Sequence, residues 1–513
     1  MRRTVFVVTL ALIVALLCPI VVWAADLSGD WIATAPRPDG GQSQLMFRLT
    51  QDGTRLTGIL SLPSRDLAIQ DGQVSGADFS FSVQAMFGDN ARTLRYAGTL
   101  SGTTVTLIAP APNGGTRTFT GRRATAAESA ANWPERVPPP ALHPVPDNGL
   151  ARTPPMGWNS WNHFHGQVDD KTIRETADAM VANGMRAAGY LYVNIDDTWE
   201  GTRDAQGNIQ TNSKFPDMKA LADYVHSKGL KIGIYSSPGT KTCAGFEGSY
   251  GHEEQDARTY AAWGIDYLKY DWCSAGKIYQ DSDMQAVYQK MGDALRATGR
   301  PIVYSLCQYG REQVWEWGPE VGGNLWRTTG DISDHWKSMI GIAGKQEGLE
   351  QWSKPGHWND PDMLEVGNGG MSDTEYRTHF TLWCILAAPL LAGNDLRNAS
   401  RSTLDLLENP EAIAIDQDSL GRQGRRVSQN GKTMVWARQL ADGSQAVALV
   451  NEDDKPGTVA VRWSQLGLRG SLLVRDLWTL RDLGRIAGGF SREVPSHGVV
   501  LIRVRVSEAK PRG

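Results

Sequence analysis

The stretch YLKYDWC, residues 267–273, has the apolar and aromatic composition of a buried strand but carries Lys269 and Asp271. Alternate side chains along a strand point to the same face, so the ammonium and the carboxylate lie on one side. Burying a charged group costs free energy unless the group is paired or used. The spacing therefore predicts that this face looks into a functional pocket.

Acidic residues recur at the ends of other apolar stretches in the central part of the chain. Alone, each has a structural explanation, because an aspartate after a strand often caps a helix or shapes a turn. Together, with a lysine and an arginine shortly before two of them, they indicate a polar concave site. These residues are Asp196 and Asp197, Lys269 and Asp271, Arg327 and Asp331, and Asp360 and Asp362.

Two kinds of chemistry suit this set of carboxylates. Carboxylates without a neighbouring histidine pair could hold Mg²⁺ or Ca²⁺, whereas glycoside hydrolysis needs two carboxyl groups that flank the bond to be cleaved. Lys269 and Arg327 would compete with a metal ion, so we predict neither a metal site nor a cofactor. Stacking on a sugar and ordinary packing are equal alternatives for the tryptophans near the same strand ends, Trp158, Trp161, Trp272 and Trp358.

The elements that carry these residues repeat along residues 151–424. A helical stretch, a glycine and an apolar strand recur about every 35–40 residues, as in LADYVHSKGLKIGIYSS, which is typical of βα units and a parallel sheet. With MGWNSW before the repeats and LWRTTGD, GHWNDPDM and PLLAGND after them, we expect eight strands and a (β/α)8 barrel. The active site of such a barrel lies at the carboxyl ends of its strands. A doubly wound open sheet is the alternative, but no G-x-G-x-x-G motif follows the first strand.

The residues before and after this region lack the repeat of helix, glycine and strand, so the expected fold is multidomain. Residues 26–123 alternate apolar and polar positions around Asp-Gly pairs, which predicts an N-terminal all-β domain, either a barrel or a sandwich. Its role is open between sugar binding and packing. Residues 124–150 contain a proline triplet and predict a semi-rigid, exposed linker. Residues 425–508 contain short strands with polar turns and predict a C-terminal antiparallel β-sandwich.

The N-terminus predicts export. Two arginines precede an apolar run that ends in a small residue, so residues 1–24 are interpreted as a signal peptide, with an uncleaved anchor as the alternative. We expect a secreted or periplasmic protein without stable membrane association. The 513 residues include 52 Lys plus Arg and 56 Asp plus Glu, a net charge of −4, which does not favour a nucleic-acid partner.

Signal cleavage would leave four cysteines, which allow three full pairings. Cys243 and Cys273 both lie near the candidate site, and export makes a disulfide plausible, so we expect these two to pair. Cys384 lies in an apolar helical run and is expected to be a buried free thiol.

The longest motifs resemble those of α-galactosidases of glycoside hydrolase family 27. The likeness spans nearly all of the central region and extends into the C-terminal sandwich, whereas residues 26–150 lie outside it. It implies a retaining enzyme on a (β/α)8 barrel. The motifs are MGWNSWNHF, YVNIDDTW, GIYSSPGTKTCAGFEGSYGHEEQDA, IDYLKYDWC, WRTTGDISD and WNDPDMLEVGNGG.

The resemblance also implies a role for each matched residue. Asp271 matches the family nucleophile and Asp331 the acid/base, which is expected to have a raised pKa before the first step. Asp196 and Asp197 match the pair that accepts hydrogen bonds from the 4- and 6-hydroxyls of galactose. Cys243 and Cys273 match a family disulfide. The other matched substrate-binding residues are Trp161 beneath the sugar ring, Tyr235, Lys269, Gln308, Arg327, Asp362 and Met363.

Three departures from the family pattern stand out. Gly166 and Thr198 occupy positions where many relatives carry a second disulfide, and Cys307 lacks an obvious partner. Gln308 replaces a glutamate near the sugar 2-hydroxyl. Because N-acetylgalactosaminidases have small residues at that position, we expect poor turnover of N-acetylgalactosaminides.

The sequence thus predicts a secreted retaining α-galactosidase acting on galacto-oligosaccharides or galactomannan. A related retaining glycosidase, such as a β-L-arabinopyranosidase or an isomaltose-releasing enzyme, is one alternative. A carbohydrate-binding protein on a degenerate barrel is the other, although both candidate catalytic carboxylates are present.

Overall fold

The computed structural model describes residues 26–36, 42–62, 65–87, 90–111 and 114–506. It divides into two compact units, one with the residues up to 126 except 63–66, and the other with the remainder. The predicted signal peptide lies outside the described residues. Within the described ranges, no helix has the length and apolar character needed to cross a membrane.

The first unit is an antiparallel β-structure. Neighbouring strands pair around a closed ring in the order β1-β2-β3-β5-β6-β7-β8-β9, and β9 returns to β1. Aromatic and branched side chains such as Trp31, Phe47, Phe81 and Val105 fill its core. Its strands are β1 Gly29–Pro36, β2 Gln42–Asp52, β3 Arg55–Ser61, β4 Asp66–Ala68, β5 Gln70–Ser75, β6 Asp78–Phe87, β7 Asn90–Ser101, β8 Thr104–Pro110 and β9 Thr116–Arg123.

One of the two expected Asp-Gly turns is not a turn. Gly53 joins β2 to β3 with a positive φ, as predicted. Asp71 and Gly72 instead lie inside β5, where the pairing with β6 shifts register between Gln70 and Gln73. Asp71 has φ of 50°, so the dipeptide forms a bulge-like irregularity in this pairing, and some types of β-bulge likewise contain a residue with positive φ. The Asp-Gly pair therefore indicated a residue with positive φ but not whether that residue would lie in a turn or within a strand.

The centre of the second unit is a parallel sheet whose strands are neighbours in sequence order, which excludes the doubly wound alternative. The order is β19-β10-β11-β14-β15-β16-β17-β18, and Leu364, just after β18, pairs with Ala392 of β19. This arrangement is TIM-barrel-like, and the eight predicted strands are all present. The strands are β10 Met156–Asn159, β11 Tyr192–Asn194, β14 Lys231–Ser236, β15 Tyr267–Asp271, β16 Val303–Cys307, β17 Leu325–Arg327, β18 Trp358–Asp360 and β19 Leu390–Ala392, with a side hairpin of β12 Glu200–Arg203 and β13 Ile209–Thr211.

Local sequence signals set the helices that connect these strands. The side chains of Asp169 and Asp217 cap α3 and α5 by accepting hydrogen bonds from backbone N–H groups in the first turn. Gly264 ends α6 with φ of 89° and turns the chain into β15, the strand that carries Lys269 and Asp271. The helices are α1 Ala126–Asn132, α2 Trp161–Phe164, α3 Asp170–Ala182, α4 Met185–Ala188, α5 Met218–Ser227, α6 Glu253–Trp263, α7 Met284–Ala297, α8 Val314–Trp317, α9 Trp336–Gly344, α10 Asp373–Leu386, α11 Arg401–Leu407 and α12 Pro410–Asp416.

The proline-rich segment is fastened to the barrel along its length. Gln289 of α7 accepts a hydrogen bond from the backbone N–H of His143 and donates one to the carbonyl of Ala141. The side chain of Val145 is buried. After the segment ends, Ala151 packs at the amino ends of the strands, where its carbonyl accepts a hydrogen bond of 2.7 Å from the Trp358 indole. Most side chains of residues 134–150 are exposed, as predicted, but the segment is also a strap on the barrel.

The C-terminal part is antiparallel, as expected. A six-stranded sheet in the order β20-β21-β22-β27-β24-β25 is accompanied by the pair β23-β26. The core between them includes Leu449, Val461, Trp463 and Val504. The strands are β20 Arg425–Asn430, β21 Thr433–Gln439, β22 Gln445–Asn451, β23 Gly457–Arg462, β24 Ser471–Asp476, β25 Arg481–Ala487, β26 Gly489–Val494 and β27 Val499–Val506.

His497 links this C-terminal part to the loops above the barrel. Its ring stacks on Trp336, the first residue of α9, with 4.3 Å between ring centroids. Its Nδ1 lies 2.7 Å from the carboxylate of Glu375, which forms the capping box of α10. The helix that follows Asp331 is therefore held from the C-terminal sheet.

We predict that His497→Ala lowers the free energy of unfolding by about 1–3 kcal/mol, because it removes an aromatic stack and a hydrogen bond to a charged group. Denaturant unfolding measures this change. Asp454→Ala is the matched control, since Asp454 contacts the other ring nitrogen but its side chain is 92% exposed, and it should change stability by less than about 0.5 kcal/mol. Equal losses in both variants would contradict the account.

Candidate active site

A cavity of about 490 Å³ opens at the carboxyl ends of the parallel strands. Side chains at the ends of the strands line this cavity, as the sequence analysis expected for a barrel of this kind. Of the eleven residues predicted to bind substrate or act in catalysis, ten line the cavity: Trp161, Asp196, Asp197, Tyr235, Lys269, Asp271, Arg327, Asp331, Asp362 and Met363.

Asp271 is one of the buried carboxylates of this cavity. The hydroxyl of Tyr309 donates to its Oδ1 at 2.6 Å, and that of Tyr235 donates to its Oδ2 at 3.1 Å. Burial raises the pKa of Asp271 to about 6, although Lys269 and the Tyr309 hydrogen bond act in the opposite direction. Both oxygens are therefore fixed in place, and the carboxylate is ionised at neutral pH.

Lys269 and Arg327 supply the positive charge of the site. Lys269 Nζ donates to Asp196 Oδ2 at 2.8 Å, and Arg327 Nη2 lies 3.0 Å from both Asp331 Oδ1 and Asp362 Oδ2. The sequence analysis expected both cations among the substrate-binding residues. Their direct partners are the other carboxylates, and the charge of Lys269 also lowers the pKa of Asp271.

Asp331 differs from the expectation in its pKa. Its side chain is 70% exposed. Partial desolvation of its carboxyl group raises its pKa, but the charges of Arg327 and Lys269 and the hydrogen bond from Arg327 together lower it below the usual value. The prediction of a raised pKa for Asp331 is therefore wrong for the structure described. The resemblance did not show how close the guanidinium of Arg327 lies to this carboxylate.

Asp197 is almost completely buried beside the cavity. Its Oδ2 accepts a hydrogen bond of 2.8 Å from the backbone N–H of Ala244, and its Oδ1 has no hydrogen-bond partner among the described residues. Burial raises the pKa of Asp197 to about 7. A buried carboxylate oxygen without a partner is costly, so a ligand hydroxyl is a natural complement.

The disulfide prediction is confirmed. Cys243 and Cys273 are bonded and join the loop after β14 to the residue two places after Asp271. Cys307 and Cys384 are buried free thiols. Gly166 and Thr198, the two positions at which the second disulfide of many relatives is missing, are adjacent in space. Lys214 donates a hydrogen bond to each of them.

Some predicted contacts are not made. Of the four tryptophans considered for sugar stacking, only Trp161 lines the cavity, and Trp158, Trp272 and Trp358 are packed in the interior. Gln308 is buried and bonds within its own turn, to Gly310 and Arg311, without lining the cavity. The poor turnover of N-acetylgalactosaminides, which was argued from Gln308, stays a prediction.

The sequence analysis missed other residues of the cavity. Tyr309 was given no role, and its φ of 66° is a strained conformation that sequence alone does not reveal. Glu365 also lines the cavity and accepts hydrogen bonds of 2.6 Å from Asn162 and Asn368. Burial raises the pKa of Glu365 to about 7. It lay inside a quoted motif, and only the structure places it beside the Trp161 loop.

Comparison with known proteins supports the same family along most of the chain. Residues 153–418 match the model of the family described as alpha galactosidase A, and residues 430–504 match the model of the alpha galactosidase C-terminal beta sandwich domain. An α-galactosidase from Cyamopsis tetragonoloba is 49% identical over 357 residues, which cover 68% of this chain and 86% of that protein.

Solved structures agree with the sequence relatives. Alpha-galactosidase I from Mortierella vinacea superposes with a TM-score of 0.69 and 38% identity, covering 71% of this chain and 99% of that chain. An α-galactosidase from Saccharomyces cerevisiae, solved with raffinose, has a TM-score of 0.66 and 29% identity, covering 71% and 100%. On these grounds and on the geometry of its cavity, the chain belongs to the α-galactosidase family of glycoside hydrolases.

Proposed function

We propose that this protein is a secreted retaining α-galactosidase that releases terminal, non-reducing α-D-galactosyl residues from galacto-oligosaccharides or galactomannan by double displacement. The observation that carries the proposal is the pair Asp271 and Asp331 in one cavity, the first buried and held by two tyrosine hydroxyls, the second near the surface and paired with Arg327. The raffinose bound to the yeast relative is an α-galactoside of the proposed class.

In the first step, an oxygen of Asp271 attacks the anomeric carbon as the bond to the leaving oxygen breaks. Asp331 gives its proton to that oxygen, and a galactosyl ester on Asp271 remains. Asp271 is suited to attack because it is ionised above about pH 6. Asp331 must carry a proton, and a substrate that covers its exposed carboxyl group would raise its pKa by excluding water.

In the second step, Asp331 takes a proton from a water molecule, whose oxygen attacks the anomeric carbon. The ester bond to Asp271 breaks, and galactose leaves with the configuration of the substrate. The positive charge of Arg327, 3.0 Å from Asp331, favours the ionised form that this step needs. The lowered pKa of Asp331 therefore suits the second half of the cycle better than the first.

Recognition of galactose falls to the residues around this pair. Asp196, held by Lys269 and by an amide hydrogen bond of 2.8 Å from Asn159, would accept from the axial 4-hydroxyl. Asp197 would accept from the 6-hydroxyl. Trp161 forms a wall for the apolar face of the ring. The remaining proposed contacts are Tyr235, Lys269, Arg327, Asp362 and Met363, whereas Gln308, which does not line the cavity, is no longer among them.

The proposed organisation along the chain follows the sequence expectation. It comprises a signal peptide at 1–24, an independent all-β domain at 26–123, a linker at 124–150, a catalytic barrel at 151–424 and a β-sandwich at 425–508. The closed order of strands β1 to β9 supports a barrel for the all-β domain. Export is supported by the disulfide beside the cavity, since such bonds persist in oxidising compartments.

We predict that the purified protein hydrolyses p-nitrophenyl α-D-galactopyranoside. Asp271→Ala should lose at least about 10³-fold in kcat/KM, and Asp331→Ala about 10²–10⁴-fold. Release of p-nitrophenol measures these rates. Asp223→Ala, an exposed aspartate of α5, is the control and should keep wild-type activity.

The same assay separates the alternatives. Cleavage of the β-L-arabinopyranoside or the α-glucoside in place of the galactoside would keep the mechanism and overturn the specificity. No hydrolysis of any of the three would favour a carbohydrate-binding role.

A second prediction concerns pH. The Tyr309 hydroxyl lowers the pKa of Asp271, so Tyr309→Phe should raise that pKa and move the acid limb of the kcat/KM profile upward by about one pH unit. Activity at pH 5 should therefore fall much more than activity at pH 7. Tyr250→Phe removes a hydroxyl whose hydrogen bonds, in the part of the chain that the structure describes, go to Glu135 and Val137 of the strap, and it should leave the limb in place. Loss of activity by the same factor at every pH would contradict this role for Tyr309.

A further inference from the structure

Thr198, the residue after Asp197, has an unusual backbone conformation. Its φ is 90°, a value that branched side chains rarely adopt because of steric crowding. The side chain is buried beside the cavity. Such strain persists only where the surrounding groups determine the conformation from several directions.

Three side chains hold Thr198 in this conformation. Its backbone N–H donates to Glu200 Oε2 at 3.0 Å, and its carbonyl accepts from the Asn212 amide at 2.8 Å. Lys214 Nζ donates to its hydroxyl at 2.8 Å. Every polar group of Thr198 is thus engaged.

Lys214 also joins this residue to a second loop. The lysine lies just after the β12–β13 hairpin, and its ammonium donates to the carbonyl of Gly166, in the loop after β10, at 3.0 Å. It lies about 6 Å from the Phe246 ring, and Phe246 is two residues after Ala244, which donates to Asp197. The ammonium therefore contacts the loops that carry Gly166 and Thr198 and lies near the loop whose Ala244 donates to Asp197.

The charge of Lys214 matches its surroundings. Asp197 and Glu200 are both buried, and Glu200 Oε1 has no hydrogen-bond partner among the described residues. Burial lowers the pKa of Lys214, while the negative charges of Glu200 and Asp197 oppose that shift. A cation in the neighbourhood of two buried carboxylates reduces their mutual repulsion.

We propose that Lys214 is a positioning residue for recognition of the sugar C6 hydroxyl: it holds the strained Thr198 so that the carboxylate of Asp197 keeps its place against the cavity. This inference rests on the proposed function, in which Asp197 accepts a hydrogen bond from that hydroxyl. Lys214 then contributes to the preference for galactose although it does not line the cavity.

The test compares kcat/KM for p-nitrophenyl α-D-galactopyranoside and p-nitrophenyl β-L-arabinopyranoside, which has the same ring without the C6 group. Lys214→Met should lower the galactoside-to-arabinoside ratio about tenfold, through loss on the galactoside, because the thioether keeps the packing but not the donors. Lys214→Arg, which keeps charge and donors, should retain the ratio within about threefold. Lys219→Met removes an exposed lysine of α5 and should change nothing. An equal fall on both substrates, or an unchanged ratio in Lys214→Met, would overturn the role of Lys214.

A covalent tie provides a second test in case Lys214→Met folds poorly. A Cβ atom added at Gly166 would lie 3.8 Å from Thr198 Cβ, which is the usual separation across a disulfide. Adding Gly166→Cys and Thr198→Cys to Lys214→Met should restore the ratio once the new disulfide has formed. A folded, oxidised variant with the ratio still low would overturn the proposal. Wild-type protein that cleaves neither glycoside would instead overturn the proposed function.

Discussion

The site depends on the balance of charge between two buried cations and the carboxylates around them. Lys269 pairs with Asp196, and Arg327 pairs with Asp331 and Asp362, all at 2.8–3.0 Å. Carboxylates that are gathered in a buried space repel each other and tend to take up protons, as the raised pKa of Asp271 and of Asp197 illustrates. Without the two cations, the cavity would hold neutral acids, which neither attack a sugar nor bind its hydroxyls as strongly.

The fold serves this balance by bringing strand ends together. Lys269 and Asp271 leave β15 on one face, and Tyr235 of β14, Arg327 of β17 and Asp196 after β11 line the same cavity. The strap closes the amino ends of the strands around Trp358, while the disulfide and His497 fix loops at the other end. The strained residues Tyr309 and Asp362 line the cavity, and Thr198 follows Asp197 beside it, which is where strain usually serves function.

Patterns that are local in the chain predicted much of this structure. The glycine that ends each helix and the apolar strand that follows located the parallel strands, and the misplaced charges of YLKYDWC pointed to the cavity. Conformations that depend on distant contacts were missed. Asp71-Gly72 became a bulge-like irregularity because of its pairing with β6, and Gln308 turned away from the cavity into its own loop. The lowered pKa of Asp331 depends on its distance from Arg327. The hydrogen bonds of Lys214 depend on two loops that lie close together in space. Neither feature can be predicted from a sequence motif.

The central claim is that Asp271 forms a covalent bond to the sugar and Asp331 serves in both steps. The stereochemistry of the product tests it most directly, because two displacements at one carbon restore the original configuration. Proton NMR during hydrolysis of p-nitrophenyl α-D-galactopyranoside should show α-galactose first, with the β-anomer growing in only as the sugar mutarotates. If β-galactose appears first, Asp271 does not act as a nucleophile, and the account of the site is wrong.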